Sequence, residues 1–128
     1  MTFELQMLVW SAALCLVQML IAAMGAQGQV GLPILAGNRE DLPPITGWAG
    51  RARRAHFNML ESLVVFAIVV LVAHLAGKAN EMTALGATLF FWARLAYALI
   101  YVVGVPWLRT AAWAVALAGI VLIFIQLF

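Results

Sequence analysis

Arg54, Asn58 and Glu61 stand at i, i+4 and i+7, a spacing that puts a guanidinium, an amide and a carboxylate on one face of a helix. Arg94, Tyr97 and Tyr101 repeat the pattern at i, i+3 and i+7, with two phenols beside a second guanidinium. Groups of this kind can grip the charged ends of a polar ligand. They can equally build a structural Arg–Glu pair bridged by an amide, and for Arg54, Asn58 and Glu61 both roles stay open. Both sets lie in apolar sequence, where polar side chains face a bundle interior or a wet cavity rather than lipid. A guanidinium as deep as that of Arg94 needs an anionic or carbonyl partner. Glu61 is the only carboxylate placed to reach it, so an Arg94–Glu61 pair is expected. Tyr97 and Tyr101 belong either to the same site or to the aromatic belt where tyrosines of membrane helices commonly sit.

Other chemistries find little support. The two histidines, His56 and His74, are about five helical turns apart and cannot share one metal ion within a chain. There is no serine–histidine–acid pattern, and the glycines between Gly25 and Gly50 lack the strand–turn–helix setting of a phosphate loop. The single cysteine, Cys15, cannot form a disulfide within the chain and reads as a small buried hydrophobe. A net charge of +2, with no basic stripe, argues against nucleic acid as a partner.

The elements that position these residues follow from composition. Of 128 residues, 66% are hydrophobic and 9% charged, far from the balance a water-soluble domain needs to cover its surface. A membrane span takes about 20 mostly apolar residues, and four segments qualify: residues 5–24, 48–76, 81–103 and 107–127. The first lacks the basic start and short apolar core of a secretory signal, and is expected to stay in the protein. In the second, the uncharged part begins only at Ser62, so Arg51 to Glu61 is expected to form a helical extension at the membrane interface. Gly25 to Gly50 reads as the one long loop, while Gly77 to Glu81 and Gly104 to Pro106 are tight turns. Short connections make sequential helices antiparallel, so the expected fold is an all-α, integral membrane, up-down-up-down four-helix bundle in a single domain, 1–128. Arg39, Arg51, Arg53, Arg54 and Arg109 fall on one side and only Lys78 on the other, which puts the long loop in the cytoplasm and both termini outside it.

The stretch from Arg54 to Glu61, with Ala55 and Asn58 between, resembles the Arg-Ala-x-x-Asn-x-x-Glu signature of the MAPEG family, the membrane-associated proteins in eicosanoid and glutathione metabolism. Ala93-Arg94-Leu95-Ala96-Tyr97, continuing through Tyr101, Gly104, Pro106, Leu108, Arg109 and Thr110, resembles the third helix and following turn of its bacterial members, and Gly37-Asn38-Arg39 and Gly47-Trp48-Ala49-Gly50-Arg51 are similar to their long loop. The resemblance implies a homotrimer in a bacterial inner membrane with glutathione as cosubstrate, held between subunits near the cytoplasmic side. Arg54, Asn58, Glu61 and Tyr97 would bind it, His56 within the motif being counted with them; Tyr101 and Arg109 would be catalytic at its sulfur, and Arg94 would brace the second helix. The implied activity is that of a glutathione-dependent transferase or peroxidase acting on lipophilic electrophiles. Phe57, and Gln27 or Gln29, stand where some members carry arginine. Those departures motivate the alternative of a non-catalytic accessory subunit of a membrane complex. A four-helix multidrug exporter ranks last, because helix one has no carboxylate beyond Glu4 at its end.

Overall fold

A computed structural model describes residues 1–128 as five helices with no strand: α1 (Phe3–Val30), α2 (Leu32–Ala36), α3 (Gly47–Leu75), α4 (Glu81–Val103) and α5 (Pro106–Gln126). All but the single-turn α2 are long and apolar enough to cross a membrane, and the chain is an integral membrane protein. The first span runs past Met24 to Val30, so the polar stretch after it is less of a loop than its composition suggests. Gln27 and Gln29 are good helix formers, and neither residue blocks continuation of the backbone ladder. The helix stops at Gly31, whose N–H bonds back to Gln27.

Local signals set the helix ends. Thr2 caps α1 by accepting from the Leu5 N–H, and Asn80 with Thr83 forms a reciprocal capping box at the start of α4. Gly104 closes α4 at φ 96°, and Pro106 opens α5 two residues later. Only a glycine takes that left-handed position without strain. The resulting turn brings the first residues of α5 back against the last turn of α4, where Tyr101 lies.

The core mixes small residues such as Ala73, Ala87 and Ala116 with Met59, Val70, Ile120, Ile123 and one aromatic pair. Phe66 of α3 stacks on Phe90 of α4 with ring centroids 3.9 Å apart, both fully buried. Between α4 and α5 the backbones nearly touch: a Cβ on Gly86 would sit 2.6 Å from the Gly119 carbonyl oxygen, and one on Gly119 2.5 Å from that of Gly86. Lipid offers hydrocarbon as freely as a neighbouring helix does, so close packing of small residues is a principal source of helix association. At the terminal end, Thr83 donates to Glu4 at 2.8 Å and ties α1 to α4, a buried polar pair in which the carboxylate gains a donor. At the opposite end, Gln29 clamps the start of α3: its amide nitrogen donates to the Thr46 carbonyl at 2.7 Å and its oxygen accepts from the Thr46 N–H at 2.9 Å.

Replacing Gly86 by alanine forces α4 and α5 apart. Its expected cost is about 1–3 kcal/mol, the range for overpacking a tight interface, seen as a lowered melting temperature in detergent. Gly28→Ala, whose added Cβ meets nothing within 4 Å, should leave that temperature equal or slightly raised. Equal melting of the two variants would contradict the packing account.

Candidate functional site

Where α3, α4 and the first turns of α5 meet, a polar face faces the loop end of the bundle. Its root is Arg94, 1% exposed, whose Nη1 donates to Asn58 Oδ1 at 2.8 Å. The guanidinium lies over the Tyr97 ring, 4.1 Å from its centroid. Tyr97 in turn tilts against Tyr101 at 5.5 Å between centroids, and Arg109 reaches back from α5 to lie 4.5 Å over the Tyr101 ring. Arg54 Nε donates to the Tyr101 hydroxyl at 3.3 Å, and Arg51 Nε donates to the Val102 carbonyl at 2.9 Å, fastening α3 to the end of α4. Asn58, Tyr97, Arg109, Thr110 and Trp113 enclose a cleft of about 190 Å³.

The donor and acceptor count of this face states what it can bind. Asn58 spends its carbonyl oxygen on Arg94, so the group left for a ligand is its NH₂, a donor. Tyr101 accepts from Arg54 and keeps its own proton to give. Arg54 is exposed and Arg109 half-buried, and both carry fixed positive charge. The cleft therefore presents donors and cations and suits an anion or a string of carboxylate and carbonyl oxygens.

Arg94 does not pair with Glu61. Glu61 is exposed on the outer side of α3, and no ion pair forms within the subunit. The reason is rotational: three residues beyond Asn58, Glu61 is turned about 60° away from α4, while Asn58 meets the guanidinium head on. A neutral amide oxygen pairs with Nη1 without the cost of desolvating a second charge, while Nε and Nη2 stay buried with no partner in the subunit. His56 likewise does not join the face. Two residues short of Asn58, it lies about 200° round the helix, buried with Nδ1 4.0 Å from the Cys15 sulfur of α1, and it lines a separate cleft of about 160 Å³ with Arg39 and Arg53. Arg54, Asn58, Tyr97, Tyr101 and Arg109 do come together. Trp113 escaped the sequence reading, although it sits one turn after Arg109 and so on the same face of α5. The interhelical role of Arg51 carried no sequence signal, because its acceptor is a backbone carbonyl.

A four-helix membrane protein with a donor-rich, cationic and phenolic cleft between its second, third and fourth spans is the class that fold and site define. The profile of the MAPEG family matches residues 7–128, and the chain belongs to that family. Neither the curated proteins nor the solved structures yield a match.

Because Asn58 is the one partner of a buried guanidinium, Asn58→Leu should destabilise the protein by about 3 kcal/mol, whereas Glu61→Gln should cost no more than about 0.5 kcal/mol. Chemical denaturation in mixed micelles reads both. The reverse order would mean that Glu61, not Asn58, is the partner of Arg94.

Proposed function

We propose that this protein is a glutathione-dependent transferase or peroxidase that acts on lipophilic electrophiles reaching it through the bilayer. The observation that carries this reading is the stacking of Arg109 on Tyr101 at the mouth of a cleft otherwise lined by donors. Glutathione has two carboxylates and two peptide carbonyls for the arginines and the Asn58 NH₂. Its thiol is only a few per cent ionised at neutral pH, and the thiolate is the nucleophile. Lowering the thiol pKa by about two units takes roughly 2.7 kcal/mol. One guanidinium about 4 Å from the sulfur, at an effective dielectric near 20, supplies on the order of 4 kcal/mol before screening. Arg109 alone is therefore sufficient, with the Tyr101 hydroxyl as an added donor and the unpaired N–H groups at the start of α5 as a favourable field. The thiolate then attacks the electrophilic centre. A carbon–sulfur bond forms, and either a leaving group departs or the adduct takes up a proton.

A cleft of about 190 Å³ is small for a tripeptide. That size, with Arg54 and Glu61 exposed beside it, supports a homotrimer in which the neighbouring subunit completes the site and Glu61 meets the ligand's amino group. Arg39, Arg51, Arg53, Arg54 and Arg109 gather at one end of the bundle and Lys78 at the other. This asymmetry supports insertion in a bacterial inner membrane with the loop before α3 cytoplasmic and both termini opposite. Single cysteines placed in that loop, in a Cys15→Ser background, should be labelled from the cytoplasmic face only; labelling solely from the outer face would reverse the orientation.

The chemistry is tested by ultraviolet difference spectra of glutathione titrated into wild type and Arg109→Leu. Wild type should show a thiolate band at neutral pH that falls steeply in the variant, with kcat/KM toward a model electrophile at saturating glutathione reduced about 25-fold, as the thiolate fraction at pH 7 falls. An undiminished band in a variant that still binds glutathione would make Arg109 a headgroup anchor. Failure of the wild type to bind glutathione at millimolar concentration would favour the accessory-subunit role.

A further inference from the structure

Three aromatic rings stand at the cleft between α3, α4 and α5, and two of them are already engaged. The Arg94 guanidinium lies 4.1 Å over Tyr97, which is only 4% exposed, and Arg109 lies 4.5 Å over Tyr101. The third ring is Trp113, which lines the cleft beside Arg109 and Thr110 and is 43% exposed. No ring or cation of the subunit stacks on its indole. At the same cleft, therefore, the phenols are covered by guanidinium groups and the indole keeps a free face.

Depth gives that free face a role. Trp113 is one turn beyond Arg109 in α5, which puts it about 6 Å further into the span. An electrophile arriving through hydrocarbon thus meets the indole before it meets a sulfur held at Arg109. Thr110 offers no competing donor on this wall, because its hydroxyl donates to the Pro106 carbonyl at 3.2 Å. The face of an indole carries the negative side of its quadrupole, so an offset-stacked, electron-poor ring gains more there than contact area alone. An alkyl chain gains only the area, which leucine would supply as well.

We propose that Trp113 is the stacking platform of an arene site at the cleft and selects planar, electron-poor aromatic electrophiles, such as halonitroarenes, over alkyl ones. As a statement about the electrophile it rests on the glutathione-dependent reading above. The thiolate adds its electron pair to the ring carbon that bears the halogen, forming the carbon–sulfur bond; the carbon–halogen bond then breaks and its pair leaves on the halide. Trp113 takes no part in that bond exchange. It holds the ring beside the sulfur, so its effect is on which electrophile is taken rather than on the thiol.

Two arms test this on the full-length protein in phosphatidylcholine vesicles. The first omits glutathione and photolabels with 1-azido-4-nitrobenzene. Label should map to Trp113 and its neighbours, and 1,3-dinitrobenzene should suppress it about fivefold better than 1-nitrohexane, the ratio one aromatic pair confers. In Trp113→Leu, which changes a partly exposed position and should fold, that ratio should fall to about one, while Trp113→Phe should keep most of it. The second arm adds saturating glutathione. There Trp113→Leu should lower kcat/KM for 1-chloro-2,4-dinitrobenzene about fivefold more than for 1-iodohexane, and Trp113→Phe should restore most of the difference. Label away from Trp113, an unchanged arene preference in Trp113→Leu, or an equal loss for both electrophiles would each overturn the proposal. Arene binding that depends on Trp113 in a protein that turns over neither electrophile would uphold the arene site and reject the glutathione reading alone.

Discussion

A guanidinium buried within membrane-spanning helices has to be answered by the protein, because the lipid cannot answer it. Arg94 is answered in part, by Asn58 across the α3–α4 seam and by the face of the Tyr97 ring, while its Nε and Nη2 have no partner in the subunit. That arrangement fixes more than the charge. It sets the rotation of α3 against α4, commits the Asn58 carbonyl inward so that its NH₂ faces the cleft, and holds Tyr97 where it orders Tyr101. The polar face is therefore not a set of separate residues on three helices. It is one connected stack, Asn58, Arg94, Tyr97, Tyr101 and Arg109, rooted in the core and ending at a cleft of about 190 Å³.

The scaffold around this stack holds it by short connections. The Gly104–Val105–Pro106 turn returns the chain so tightly that Arg109, in the first turn of α5, covers a ring in the last turn of α4. The Gly86–Gly119 contact keeps α4 and α5 in register below it. Arg51 and Gln29 do the same at the loop end, one by gripping the Val102 carbonyl and the other by gripping both backbone groups of Thr46. A cleft assembled from three helices needs such fasteners, because a displacement of an ångström between helices would part the groups that line it.

Much of this was legible in the sequence, for definite reasons. Apolar segments of membrane length give helices whatever their detailed propensity, and the i, i+4, i+7 spacing told which side chains share a face. Arg54, Asn58, Tyr97, Tyr101 and Arg109 were found that way together with the family motifs. The partner of Arg94 was not, because charge complementarity points to Glu61 while the rotation of α3 presents Asn58. His56, counted with its motif, lies within the subunit on the side of α1, where helical phase places it. The continuation of α1 to Val30 was hidden by polar composition, and the role of Gln29 by the fact that its partner is backbone. Contacts to backbone atoms and the relative rotation of helices leave no mark in the residue pattern.

We propose that this face holds glutathione as its thiolate. Calorimetric titration of the purified protein with glutathione at pH 7, repeated in buffers of different ionisation enthalpy, counts the protons released on binding. A thiol pKa lowered by about two units from 8.5 predicts release of roughly 0.7 proton per glutathione bound. Binding with no proton release would contradict the account: the face would then hold the tripeptide without activating its sulfur.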